Sequence, residues 1–140
     1  MESYKILTNP ITEKYSDLEK KILVVEDDDV SFSLLHEILG TNNLIPYRAF
    51  NGREAVEYFN LNKYAFDLVL MDIRLPELNG CKATRQIKDI NPSVPVIAIT
   101  AYAHSQCIID CYEAGCDEYV TKPYDISRIL SLVDLYSLKN

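Results

Sequence analysis

Short apolar runs alternate with amphipathic stretches along most of the chain. Ile22–Glu26 is an unbroken apolar run closing on an acid, the pattern of a strand buried on both faces of a parallel sheet. Ser31–Leu39 then carries Phe32, Leu35 and Leu39 at helical spacing, closed by Gly40. Leu44–Phe50 reads as a weaker strand containing Pro46, which suits a sheet edge where the missing N–H costs least. Arg53–Leu61 is a helix with Ala55, Val56 and Phe59 on its apolar face, and Asp67–Asp72 a third, buried strand. Cys81–Ile90 is a helix stopped by Pro92, and Val94–Thr100 a fourth strand. Ser105–Ala114 is a helix with Gly115 in the position after its end, followed by strand Asp117–Thr121 and helix Ile126–Leu138. Every glycine (Gly40, Gly52, Gly80, Gly115) falls at an element boundary, so turn chemistry and periodicity agree. Five strand–helix units with short links predict an α/β fold: a parallel sheet with right-handed crossovers and helices on both faces.

Composition narrows this picture. At 140 residues the chain suffices for one well-buried core, not two ordinary domains. The pattern places a domain over 21–140 and leaves 1–20 as a tail or linker. With 48% hydrophobic and 25% charged residues it reads as soluble and globular. No apolar run approaches the ~20 residues of a membrane span, and the N-terminus lacks a signal-peptide core. The expectation is a cytoplasmic protein without membrane contact. A formal charge of −7 argues against direct nucleic-acid binding, which needs clustered Lys and Arg. Cys81, Cys107, Cys111 and Cys116 form no C-x-x-C pair. Cys107, Cys111 and nearby His104 fall short of the usual four zinc ligands, so reduced thiols are expected.

The chemistry gathers at strand ends. In an open parallel sheet the carboxyl ends of the strands share one edge, where ligands bind. Glu26 and Asp27 follow the first strand, Asp72 ends the third, Thr100 the fourth, and Lys122-Pro123 follows the fifth. Clustered carboxylates repel one another, and a hard divalent cation such as Mg2+ relieves this. Asp28 or Asp29 is expected as a helix N-cap instead. Asp72 is the candidate nucleophile, since carboxylates form acyl phosphates. Lys122 is placed to pair with it at rest and then to hold a phosphoryl oxygen. Lys-Pro is a rigid step that also admits a cis bond.

The motifs VVEDDD (Val24–Asp29), LVLMDIRLPELNG (Leu68–Gly80), AITAYA (Ala98–Ala103) and AGCDEYVTKP (Ala114–Pro123) resemble those of two-component receiver domains. The resemblance covers about Lys21 to Leu138 and implies a flavodoxin-like, doubly wound (βα)5 fold with strand order 2-1-3-4-5. It implies that Asp72 is the phospho-acceptor and that Glu26, Asp27, Asp72 and the backbone carbonyl of Arg74 hold Mg2+. It further implies that Thr100 and the Ala101 N–H bind the phosphoryl group, that Lys122 forms the ion pair, and that Thr100 and Tyr119 are the conformational switch. The implied partner is a histidine kinase or histidine phosphotransfer domain. The domain would act as a phosphoacceptor assisting its own phosphorylation and dephosphorylation, not as a free-standing enzyme. Glu26 stands where Asp is commoner, and Leu75 where Met is usual. The stretches Asn51–Phe59 and Asn79–Ile87 resemble receivers at the C-terminus of hybrid sensor kinases, whereas Met1 favours a free-standing receiver.

Other classes fit less well. A haloacid-dehalogenase-like phosphatase wants a second acid two residues after its nucleophile, where Arg74 stands. A flavin binder wants a glycine- and hydroxyl-rich loop where three carboxylates stand. A receiver-like module without chemistry would not need the complete set of acids, hydroxyl and lysine. In the last helix Ile126, Ile129, Leu130 and Val133 make one apolar stripe, with Leu135 and Leu138 off it. By resemblance, Ile108, Tyr112, Tyr119 and Leu135 are expected on an outward partner face. The helix Ser105–Ala114 has no Lys or Arg, so apolar docking by a monomer or weak dimer is expected rather than a charge-laced dimer.

Overall fold

The computed structural model describes residues 20–42, 44–74, 79–101 and 104–137. The tail expected over 1–20 lies outside the described residues, apart from Lys20, which belongs to the first strand. The elements are β1 (Lys20–Val25), α1 (Asp29–Gly40), β2 (Leu44–Ala49), α2 (Gly52–Leu61), β3 (Leu68–Asp72), α3 (Gly80–Ile90), β4 (Val96–Thr100), α4 (Ser105–Ala114), β5 (Glu118–Thr121) and α5 (Ile126–Ser137). All pairings are parallel and the strand order is β2-β1-β3-β4-β5. Pro46 therefore sits on an edge strand, opposite Ile22.

The strict two-residue period of the strands divides the interior into two cores. Ile22, Val24, Leu68, Leu70, Ile97 and Ile99 face α1 and α5, against Phe32, Leu35, Ile129 and Val133. Leu23, Val25, Val69, Met71, Val96 and Ala98 face the opposite way, against Val56, Phe59, Ala83 and Ile87. Two aspartates close the amino end of the sheet. Asp67 Oδ2 accepts the Lys21 N–H at 2.8 Å, and Asp117 Oδ2 accepts Val96 N–H at 2.8 Å and Lys88 Nζ at 2.9 Å.

Local signals set the helix ends. Asp28, rather than Asp29, caps α1 and accepts the Ser31 N–H at 2.8 Å; Asp29 is already helical. Asn51 and Glu54 form a reciprocal box at the start of α2, with Glu54 N–H on Asn51 Oδ1 and Phe50 N–H on Glu54 Oε1. Gly115 ends α4 at φ 106°, where a side chain would be strained. The apolar stripe expected on α5 is displaced. Ile129 and Val133 are buried as expected and Leu130 is half-buried, but Leu132 joins them and Ile126 is exposed. The helix begins at Ile126, which is left in solvent at its first turn, while Leu132 packs into the α1-side core.

Candidate functional site

The carboxyl edge of the sheet brings the acids together. Glu26 leaves β1 with its N–H on Ala49 O at 3.0 Å, Asp27 follows in an exposed turn, and Asp72 is the last residue of β3. One carboxylate oxygen from each of Glu26, Asp27 and Asp72 lies within 4.8 Å of the others. Glu26 and Asp72 are buried, at 1% and 6% exposure, while Asp27 opens to solvent. Two buried acids and one exposed acid match what Mg2+ takes from a protein.

Lys122 reaches into this cluster from beyond β5. Its Nζ lies 2.9 Å from Glu26 Oε1 and 3.3 Å from Asp72 Oδ2. The resting pair expected with Asp72 is thus shared, with Glu26 the nearer partner. Tyr124 adds an O–H on Glu26 Oε1 at 3.3 Å. The Lys122-Pro123 bond is cis, and Lys122 N–H donates to Thr100 O at 2.8 Å. Burial, and then hydrogen bonding and charge from Asp72, raise the Glu26 carboxyl from its ordinary value, outweighing Lys122. Burial works against the charge on Lys122, but Glu26 and Asp72 overcome it and raise its pKa.

The remaining positions fall as follows. Arg74 sits two residues past Asp72 and donates its N–H to Asp72 Oδ1 at 2.9 Å, while its side chain turns to solvent. Thr100 is buried at the end of β4, one step beyond Ile99, which pairs with Asp72. Its Oγ1 lies 3.7 Å from Cys107 Sγ, and a cleft beside it is lined by Ile73, Arg74, Cys81, His104 and Cys107. Ala101 is exposed immediately after β4. The four cysteines are free thiols, and burial pushes Cys81 up to about 11. Neither they nor His104 join a metal-competent cluster among the described residues.

On the α4–β5–α5 side, Tyr112 and Leu135 are exposed and Tyr119 half-buried. The rings of Tyr112 and Tyr119 meet edge to face at 6.2 Å. Ile108, expected outward, is half-buried; its neighbour Ile109, 47% exposed, takes the outward place. Successive helical residues are about 100° apart, so a one-residue offset in the carried-over position exchanges the two. Leu138 lies outside the described residues.

Three features had no separate signal in the sequence. Gly80 opens α3 directly beneath β3: a Cβ there would collide with the Asp72 carbonyl oxygen and Ile73 Cα. Val30 and Leu34, 79% and 40% exposed, lie one turn apart on α1 beside the acidic turn. Arg48 is fully buried in β2.

Residues 22–134 match the family model described as the response regulator receiver domain. The chain belongs to this receiver family of two-component signalling. Among curated relatives, the polar-differentiation response regulator DivK of Brucella anthropi is 31% identical over 121 residues, covering 85% of this chain and 97% of its own. A cyclic di-GMP phosphodiesterase of Thermotoga maritima is 33% identical over 119 residues, but these are 85% of this chain and only 31% of that protein. The receiver domain of sensor histidine kinase PA1611 from Pseudomonas aeruginosa superposes with a TM-score of 0.78 at 30% identity, covering 85% of this chain and 98% of that one. That structure has a magnesium ion coordinated in its active-site cleft. The expected family, strand order and α/β class are therefore borne out. No helix among the described residues is long and apolar enough to cross a membrane.

Proposed function

We propose that this receiver is a Mg2+-dependent phosphoryl switch that accepts a phosphoryl group on Asp72 from a phosphohistidine donor. The observation that carries the reading is Lys122 bridging Glu26 and Asp72 inside a cluster of three carboxylates. Glu26, Asp27 and Asp72, with the Arg74 carbonyl, would hold the cation, which would offset charge on the phosphoryl oxygens. An Asp72 carboxylate oxygen attacks phosphorus, an O–P bond forms, and the donor's N–P bond breaks with its electron pair returning to the imidazole, which is protonated. Lys122 then turns from Asp72 toward a phosphoryl oxygen, and Thr100 Oγ1 and the Ala101 N–H take others. Thr100 is drawn toward Asp72, and the space it leaves is read out through Tyr119, which packs on Tyr112 at the α4–β5–α5 face.

Two apolar patches serve the two steps. Val30 and Leu34 border the acidic turn, where a histidine kinase or phosphotransfer domain must sit to reach Asp72. Ile109, Tyr112 and Leu135 lie away from the acids and meet the partner that reads the state. The domain works in the cytoplasm as a monomer or weak dimer, assisting only its own phosphorylation and dephosphorylation. Incubation with acetyl phosphate and Mg2+ should add one phosphate to the protein's mass. The adduct should be absent with chelator and in Asp72→Asn; an adduct of equal yield under either condition rejects the reading.

A further inference from the structure

We propose that Arg48, inside edge strand β2, is the positioning residue of the cation site and holds the β1–α1 turn so that Glu26 and Asp27 stay directed at Asp72. The inference rests on the reading of the carboxylate cluster as a Mg2+ site. Arg48 is 1% exposed, among the largest fully buried side chains of the protein. Its guanidinium is stacked between two rings, with Cζ 4.4 Å from the Phe32 centroid and 4.1 Å from that of Phe50. Two of its three nitrogens turn to the same short segment. Nε donates to Glu26 O at 3.2 Å, at the start of the turn, and a terminal nitrogen lies 2.9 Å from Asp29 Oδ1, at its end. The next residue of β2, Ala49, accepts the Glu26 N–H at 3.0 Å. Both backbone polar groups of Glu26 are therefore anchored on β2, and the four residues carrying the acids are gripped at both ends.

Stability alone gives little reason for this arrangement. A buried charge whose ion partner, Asp29, is largely exposed is often no better than an apolar group of the same volume, and a β-branched residue would suit β2 at this position. A planar fork stacked between rings does what an apolar side chain cannot: it holds a backbone carbonyl by a hydrogen bond and a carboxylate by its charge, at a set separation. Groups just behind a metal's ligands commonly set ligand orientation in this way.

The sign of one effect separates positioning from simple electrostatics. Deleting a positive charge beside an acidic cluster should tighten Mg2+ binding by Coulomb attraction alone. If Arg48 positions the turn, deleting it loosens binding instead. Calorimetric Mg2+ titration of the wild-type chain, Arg48→Met, Arg48→Lys and Phe50→Leu measures this without any phosphoryl donor. Arg48→Met should weaken Mg2+ affinity about tenfold, within the range for loss of a ligand-orienting partner. Arg48→Lys should lose about as much, since an ammonium cannot span Glu26 O and Asp29 as the fork does. Phe50→Leu, which removes one stacking face and no charge, should cost about threefold. Amide exchange at Asp27 and Asp28 should quicken in all three variants without Mg2+.

Unchanged or tighter Mg2+ binding in Arg48→Met overturns the proposal. If that variant does not fold, wild-type affinity in both Arg48→Lys and Phe50→Leu overturns it. A wild-type chain that binds no Mg2+ overturns the cation reading beneath it, a result distinct from normal wild-type binding with insensitive variants.

Discussion

The carboxylate edge and the α4–β5–α5 face are built in opposite ways. At the edge, Glu26 and Thr100 are each 1% exposed and Asp72 6%, and Lys122 is tied to two acids. On the face, Ile109, Tyr112 and Leu135 are 47%, 44% and 52% exposed. The polar contacts there are peripheral: Tyr112 O–H on Glu118 at 3.1 Å and Arg128 on the Tyr119 carbonyl at 3.1 Å. Chemistry on a phosphoryl group gains from charges fixed before the reaction and shielded from water. Recognition gains from apolar surface left to be covered. The two regions are joined by β4 and β5, whose register sets Thr100 opposite Thr121 and Ala98 opposite Tyr119.

If that division is right, substitutions at the edge should act whatever the donor, and those on the face only with a protein partner. The largest effect is expected from Lys122→Met. Loss of a fixed cation facing the transferred group should slow labelling by acetyl phosphate about 10²-fold. Stopped-flow or quenched labelling at saturating Mg2+ checks this, and a rate within about twofold of wild type would place Lys122 outside the chemistry. A smaller effect, confined to the partner that reads the state, is expected on the face. Ile109→Asp or Leu135→Asp should weaken docking of the protein partner about tenfold, as for truncation of a moderate hot spot. Acetyl phosphate labelling should be unchanged. Wild-type docking of that partner in both variants, or slowed acetyl phosphate labelling in either, would erase the distinction between the two regions.

The smallest effect is a pH slope. Glu26 has a folded pKa above its ordinary value of 4.5, set by burial and then by Asp72. A carboxyl raised on folding adds stability that is complete below its unfolded pKa and is lost as pH rises through the folded one. Without Mg2+, the melting temperature should therefore fall as pH rises above about 4.5 through the raised Glu26 value. Glu26→Gln should flatten this part of the curve. A Glu26→Gln profile parallel to wild type across that window would contradict the assigned cause.

The edge was legible in the sequence because acids, hydroxyl and lysine terminate apolar runs, and parallel strands bring such ends together. The order of the sheet was legible from motifs, with Pro46 as independent support for an edge. The face was legible only in outline. Resemblance carried Ile108 to the place where Ile109 stands, and helical period, which says which residues share a side but not its absolute phase, missed Leu132 on α5. Arg48 was hidden for a different reason. A charge in an edge strand reads as solvent-facing, and only the fold shows Phe32 and Phe50 closing over it. Gly80 showed itself as a helix boundary, but its contact with the Asp72 backbone needs three dimensions.

The central claim is that Asp72 is the atom-level acceptor, and borohydride trapping tests it most directly. Protein treated with acetyl phosphate and Mg2+ is reduced, digested and sequenced by mass spectrometry. An acyl phosphate is reduced to an alcohol, so the account predicts homoserine in place of Asp72, dependent on Mg2+ and on the phosphoryl donor. Homoserine in place of Asp27 or Asp28 with Asp72 intact, or no reduced residue despite a phosphate adduct, would contradict it.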